Sequence, residues 1–271
     1  MARTVFGVTT RRLDAAFVTA IVVLILILYR KVTRLWWTYD DAYNLHLVID
    51  HHLREFFTDG ALWPQKLFTP MEPVSFRAQL SAFGLATERW FAAQLVLFAA
   101  SAIALYAAVR AFFTPVEAFA ATTFYVASVP MVSLVPQLSA THYFIAIALA
   151  SIATILHLRG MQLTSGLLYL AAMLAKETVI PLVAILFFLQ HGDWRTRARH
   201  LAPHAIALAV YMAWRRAVIG TIAGGYGWAV GRGEWPSLIA SLPKKLILAM
   251  AGAGVVAGIA LIVLLVGGAF F

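Results

Sequence analysis

Two adjacent carboxylates, Asp40 and Asp41, stand in the tetrapeptide Tyr39-Asp40-Asp41-Ala42, just beyond a membrane-length apolar run and the pair Trp36-Trp37. A carboxylate beside a hydroxyl takes its proton as that oxygen attacks, while a cation stabilises the departing group. Ionisable side chains near hydrocarbon are costly, so an acidic pair at the mouth of a membrane helix reads as a functional site. Neighbouring helical residues point roughly 100° apart, so the two cannot serve one atom unless the turn is irregular. One is then catalytic and the other orients it or holds a metal. A solvated helix end explains the pair equally well.

The matching cations lie far along the chain. Lys176-Glu177-Thr178 sits between two short apolar runs with Pro181 just after it, where the ammonium can grip an anionic head group. Snorkelling of the lysine to the interface is the plainer alternative. Arg215-Arg216 closes a later apolar run and precedes a glycine-rich stretch carrying Tyr226 and Trp228. A flexible aromatic loop beside arginines suits a phosphate or a sugar, and ordinary loop punctuation suits it as well. Gln137 and His142 frame a short polar connection and are candidates for holding an acceptor or a sugar. His46, Asp50, His51 and His52 carry metal-binding donors, but their spacing is no zinc signature and an interfacial helix accounts for them better. Gly254 and Gly258 form a small-xxx-small pair that speaks of helix packing.

Those residues must be positioned by membrane helices. Of 271 residues, 62% are hydrophobic and 12% charged, against an apolar share of roughly 45–50% in soluble domains. In lipid every backbone polar group needs an internal partner, so the apolar runs are helices. The expected fold is all-α: a polytopic bundle of about eight spans near 15–29, 90–112, 116–135, 142–158, 164–176, 179–190, 201–219 and 246–271. The first is an uncleaved anchor, since basic residues flank it on both sides and no small-residue cleavage site follows. Region 38–88 is too polar to span, and is expected as a large exoplasmic first loop carrying short interfacial helices. Region 220–243 is expected as a second, glycine-rich exoplasmic loop.

Arg110, Arg159 and the group Arg195, Arg197 and Arg199 place the N-terminus in the cytoplasm by the positive-inside rule. Arg30, Lys31 and Arg34 run against that assignment. This topology gathers Asp40, Asp41, Gln137, His142, Lys176, Glu177, Arg215, Arg216 and Tyr226 on the exoplasmic face. The absence of cysteine removes disulfides and thiolate metal sites. The formal charge of +9 suits anionic lipids or a phosphate-bearing substrate, and no nucleic-acid motif is present.

An anchor helix ending in an acidic pair is followed by Phe68-Thr69-Pro70-Met71-Glu72-Pro73-Val74-Ser75-Phe76 and Phe83-Gly84-Leu85, and later by Ala175-Lys176-Glu177-Thr178. In order and spacing this resembles the GT-C membrane glycosyltransferases, most closely their protein O-mannosyltransferase-like branch and related bacterial enzymes. The resemblance covers nearly the whole chain as a single module. It implies transfer of a sugar from a polyprenyl-phosphate donor to a protein, lipid or glycan acceptor on the exoplasmic face of a bacterial cell membrane. It also implies Asp40 as general base, Lys176 with Glu177 beside the carrier phosphate, a second phosphate contact from Arg215 or Arg216, and inversion at the anomeric carbon. Asp41 stands where the mannosyltransferase pattern has Glu. No cofactor is required on this reading, and the acidic pair is compatible with Mg²⁺ or Mn²⁺. Family members continue through further spans, so the chain is expected to be a C-terminally truncated member. The alternatives are a lipid-carrier flippase or transporter, which should show an inverted repeat that is not evident here, and a non-catalytic membrane subunit in which Asp40 and Lys176 are expendable.

Overall fold

In a computed structural model, the structure describes residues 8–222 apart from 64, 190 and 191. The described residues are helical, with no strand among them. Eleven helices follow in order: α1 Val8–Tyr29, α2 Tyr39–Asp50, α3 Glu55–Thr58, α4 Met71–Phe83, α5 Thr87–Arg110, α6 Pro115–Ala127, α7 Val129–Leu134, α8 Thr141–Leu158, α9 Gln162–Ala175, α10 Leu182–Leu189 and α11 Trp194–Ile219.

Among the described residues three helical segments are long and apolar enough to cross a membrane: Arg11–Arg34, Thr87–Arg110 and Leu138–Leu158. The chain is therefore membrane-associated by the character of its helices, and the remaining expected spans differ in form. The run expected over 116–135 is broken at Ser128, whose backbone is extended (ψ 149°). Pro130 follows in the first turn of α7, and its missing N–H could not have continued the α6 hydrogen-bond ladder. Helix α9 has 14 residues and α10 eight, about 21 Å and 12 Å long, short of the roughly 30 Å of hydrocarbon. Between them Lys176 is extended (ψ 128°) and Glu177–Val179 forms a 3₁₀ turn. Helix α11 is 26 residues long but carries Arg195, Arg197, Arg199 and Pro203 in its first half. The run over 246–271 lies outside the described residues. Region 38–88 does contain the expected short helices, α2 to α4.

Helices α5, α8, α9 and α11 pack as successive neighbours, and α1 leans on α5 and α6. Lipid tails are as apolar as leucine, so association rests on close packing and interhelical hydrogen bonds. Ala102, Ala146, Ala153 and Ala172 are fully buried. Gly166 meets Pro203 so closely that a Cβ would stand 2.9–3.0 Å from its atoms. Beside that crossing the Ser165 hydroxyl donates to the Ala153 carbonyl at 2.6 Å and lies 2.8 Å from His204 Nε2. At the start of the bundle Asp14 fixes α1 to α5, accepting from the Tyr106 hydroxyl (2.6 Å) and pairing with Arg110 Nε (2.9 Å).

The end of α11 anchors the first loop. Trp214 Nε1 donates to the Phe57 carbonyl at 2.8 Å, and Phe68 packs among Trp63, Tyr211 and Trp214. Gly60 lies against Val218, where a Cβ would fall 2.1 Å from the Val218 carbonyl oxygen. Because that neighbour is helix backbone, Gly60→Ala should cost about 1–3 kcal/mol. Thermal unfolding in detergent should show a Tm several degrees lower, whereas alanine at the unobstructed Gly160 should show only the penalty of its left-handed φ of +81°.

Candidate functional site

Helix α2 sorts the acidic pair. Asp41, Asn44, Leu47 and Val48 are buried, spaced by three and four residues along one helix face, while Asp40 faces outward and is exposed. Asp41 Oδ2 accepts from the Thr38 amide (2.9 Å) and hydroxyl (2.8 Å), capping the helix. Asp41 Oδ1 accepts from the Ser139 amide at 2.7 Å. With 0% exposure and both oxygens occupied, Asp41 ties α2 to the Leu138–Ala140 turn that leads into α8. Of the two aspartates, only Asp40 is open to an incoming molecule.

A second carboxylate completes what the aspartates begin. Glu72, in the first turn of α4, accepts from Asn44 Nδ2 at 2.9 Å through Oε1 and from the Thr69 hydroxyl at 3.1 Å through Oε2. The same Oε2 stands 3.3 Å from His142 Nδ1. His142 is 6% exposed, and neither ring nitrogen has an aligned hydrogen bond, so the contact to Glu72 is electrostatic proximity. The imidazole lies against Tyr143, and the Lys176 ammonium sits 4.7 Å above the Tyr143 ring.

Lys176 and Arg215 are buried cations with few partners. Lys176 is 5% exposed, with its Nζ 3.9 Å from Glu177 Oε2, and that oxygen makes no hydrogen bond. Arg215 is 1% exposed. Its Nη1 donates to the Tyr211 hydroxyl at 2.9 Å and its Nη2 to the Lys66 carbonyl at 2.8 Å, while Nε is unpaired. Lys66 holds that carbonyl in place from the left-handed region (φ +58°), an uncommon conformation for a residue with a Cβ. Glu177 is near enough to Tyr211 to act on it electrostatically. A polar tract therefore runs from Asn44 through Glu72, His142, Tyr143 and Lys176 to Glu177, and Glu177 acts electrostatically on Tyr211, the residue that holds Arg215. Among the described residues no carboxylate lies within 4 Å of the Arg215 guanidinium. A buried charge without a counter-ion is expensive, and an anion entering the tract would relieve that cost.

The other expected site residues fall elsewhere. Arg216 is exposed. Gln137 is half-buried, its amide donating to the Ser133 carbonyl at 2.8 Å while its backbone carbonyl accepts from Gln94 Nε2 at 2.7 Å. Tyr226 lies outside the described residues. His46 pairs with Asp50 within α2 and His51 with Glu55 across the turn into α3, and the Glu55 carboxyl is held below its usual range chiefly by its hydrogen bond with His51. No group of three or more His, Asp or Glu side chains among the described residues is arranged around a metal position. In the sequence Glu72 is legible only within the motif Phe68–Phe76, as an acid followed at once by Pro73, with Asn44 three residues after Asp41.

No family model, curated protein or solved structure matches this chain.

Removing the Asp41 carboxylate leaves the Thr38 and Ser139 donors unpaired, and hydrogen bonds to a charged group are each worth about 1.5–3 kcal/mol. Asp41→Ala should therefore lower stability by several kcal/mol, and Asp40→Ala by no more than about 0.5 kcal/mol. Denaturant unfolding in mild detergent separates the two variants.

Proposed function

We propose that this chain is an integral membrane glycosyltransferase that takes a sugar from a polyprenyl-phosphate donor and places it on a hydroxyl of a glycan, lipid or protein acceptor at the exoplasmic face of a bacterial cell membrane. The observation that carries this reading is the burial of Lys176 and of Arg215, each without a full complement of anions, with Glu177 beside Lys176 acting electrostatically on the Tyr211 that holds Arg215. A phosphate set against them would pair the Arg215 Nε and draw the Lys176 ammonium off its weak contact with Glu177.

In the transfer, the acceptor oxygen attacks the anomeric carbon as the bond from that carbon to the phosphate oxygen breaks. The electron pair of that bond stays with the phosphate, where the two cations stabilise it. The acceptor proton passes to a carboxylate. Asp40 holds that position by family resemblance, and Glu72 by its place in the tract. A single displacement inverts the anomeric centre and needs no covalent sugar-enzyme intermediate.

Two measurements test this reading. Native mass spectrometry of protein extracted gently from its own membrane should show a co-purifying polyprenyl phosphate, reduced at least tenfold in Lys176→Ala and Arg215→Gln and unchanged in Arg216→Ala. Bulk phospholipid alone in every sample would overturn the donor assignment. In membranes that retain transfer activity, replacing the base should reduce the rate by a factor of about 10²–10⁴ with carrier binding preserved. If Glu72→Gln shows that loss and Asp40→Asn does not, Glu72 is the base; the reverse result assigns Asp40. Full activity in both would remove carboxylate base catalysis from the proposal.

A further inference from the structure

Helix α9 ends where the Lys176 amide donates to the Ala172 carbonyl at 2.8 Å, and the chain turns at once into the 3₁₀ segment Glu177–Val179, closed by the Ile180 amide on the Glu177 carbonyl at 3.0 Å. The Tyr169 hydroxyl donates to the Ile180 carbonyl at 2.6 Å and ties that turn back to α9. The break sets two charged side chains next to each other, yet they do not close into a hydrogen-bonded pair. Lys176 Nζ and Glu177 Oε2 stand 3.9 Å apart, beyond hydrogen-bond length.

Glu177 Oε2 is buried with no hydrogen-bond partner, and a carboxylate oxygen so placed needs a donor. The Lys176 ammonium lies over the Tyr143 ring, a contact that engages the ring face and leaves N–H groups for an acceptor. A phosphate oxygen meets the need of Lys176 and not that of Glu177, because two anions side by side repel. Both ring nitrogens of His142, 6% exposed and packed on Tyr143, are without partners too. The unmet bonding around Tyr143 therefore calls for donors as well as for an anion.

The complement of the Lys176-Glu177 pair is one ligand that brings an anionic oxygen to the ammonium and a hydroxyl to the carboxylate. With Nζ and Oε2 3.9 Å apart and a contact of about 2.7–2.9 Å to each, two ligand oxygens lying side by side are about 4 Å apart. In a sugar joined to phosphate through its anomeric carbon, the hydroxyl on the neighbouring carbon lies at that separation from the phosphate oxygens. We infer that Glu177 reads the donor sugar: its Oε2 accepts from the 2-hydroxyl while Lys176 holds the phosphate, so the donor class is a polyprenyl-phosphate sugar with a free 2-hydroxyl. The inference rests on the sugar-transfer reading, and it gives Glu177 a hydroxyl to bind where the family resemblance implies a place beside the phosphate.

The test titrates the full chain, in phosphatidylcholine nanodiscs, with bare polyprenyl phosphate, its glucosyl and mannosyl esters and the 2-deoxyglucosyl ester, reading affinity by native mass spectrometry. Glucose and mannose differ only at C2, so one 2-deoxy compound controls for both. At least one hexosyl lipid should bind about tenfold or more tightly than the 2-deoxy lipid, as expected for a hydrogen bond to a charged group. In Glu177→Ala that ratio should fall to about one, with bare polyprenyl phosphate bound no more weakly than by the wild type, because a neighbouring negative charge has gone. Lys176→Ala should weaken binding of every lipid in the series. The comparison among ligands is made on wild-type protein, so it decides the matter even if Glu177→Ala fails to fold. Equal binding of the 2-deoxy lipid and both hexosyl lipids, or a preference that survives Glu177→Ala, overturns the inference and leaves the donor reading standing. No binding of any lipid in the series overturns the donor reading and the inference with it. Displacement by phosphatidylglycerol, whose head group also joins a phosphate to hydroxyls, at lower concentration than either hexosyl lipid would overturn the sugar assignment in favour of a lipid head group.

Discussion

The hydrogen bond from the Ser139 amide to the Asp41 carboxylate sets the register of the polar tract. It joins residues 98 positions apart, and each flanks a side chain that reaches Glu72. Asn44 lies three residues after Asp41 on the same face of α2, and His142 lies three residues after Ser139 at the start of α8. Fixing one point on each element therefore fixes where both partners of Glu72 stand. Thr38 strengthens the tie by placing two donors on the other carboxylate oxygen. Three donors on its two oxygens leave no acceptor of the carboxylate unsatisfied, which makes a fully buried aspartate tolerable here.

The cations follow a different rule. Lys176 and Arg215 are as buried as Asp41, yet each keeps bonding capacity unused. Lys176 lies over an aromatic face, which stabilises an ammonium by about 0.5–2 kcal/mol and leaves its N–H donors available. Arg215 is held by a hydroxyl and a carbonyl, both neutral, so its charge is oriented without being neutralised. Asp41 has the contacts of a structural strut, whereas Arg215 keeps its Nε without a partner and Lys176 reaches a carboxylate only at 3.9 Å.

Much of this arrangement could be read from residue types and order. The apolar runs around α1, α5 and α8 are long enough to be recognised by length alone, and Pro70, Pro73 and the polar content of 38–88 marked short surface helices. Lys176 stands out in the sequence as a charge between two short apolar runs, and the structure buries it at the break between α9 and α10. What was hidden depended on contacts between distant segments. Which aspartate turned inward could not be read from spacing, since Asn44, Leu47 and Val48 lie as close to the face of Asp40 as to that of Asp41; the bonds of Asp41 to Thr38 and Ser139 decide it. Glu72 emerged only when Asn44, Thr69 and His142 were brought together from three elements. The interruption at Ser128 was masked because Val-Pro-Met-Val is as apolar as the helices around it, and hydropathy does not register a missing N–H.

The contacts that complete the first loop have a consequence for biogenesis. Trp214 and Arg215 bind carbonyls 157 and 149 residues earlier, so the loop between α1 and α5 acquires its final supports only after nearly all the described chain has been synthesised. Until α11 arrives, Lys66 has no guanidinium on its carbonyl and Gly60 has no backbone against it. The ribosome therefore delivers the acidic half of the tract well before the segment that braces it, and in the interval that half depends on α2, α4 and α8 alone. Chains stalled before α11 would expose the aromatic surface of Phe57 and Phe68, the kind of transient apolar patch that membrane quality control is built to recognise.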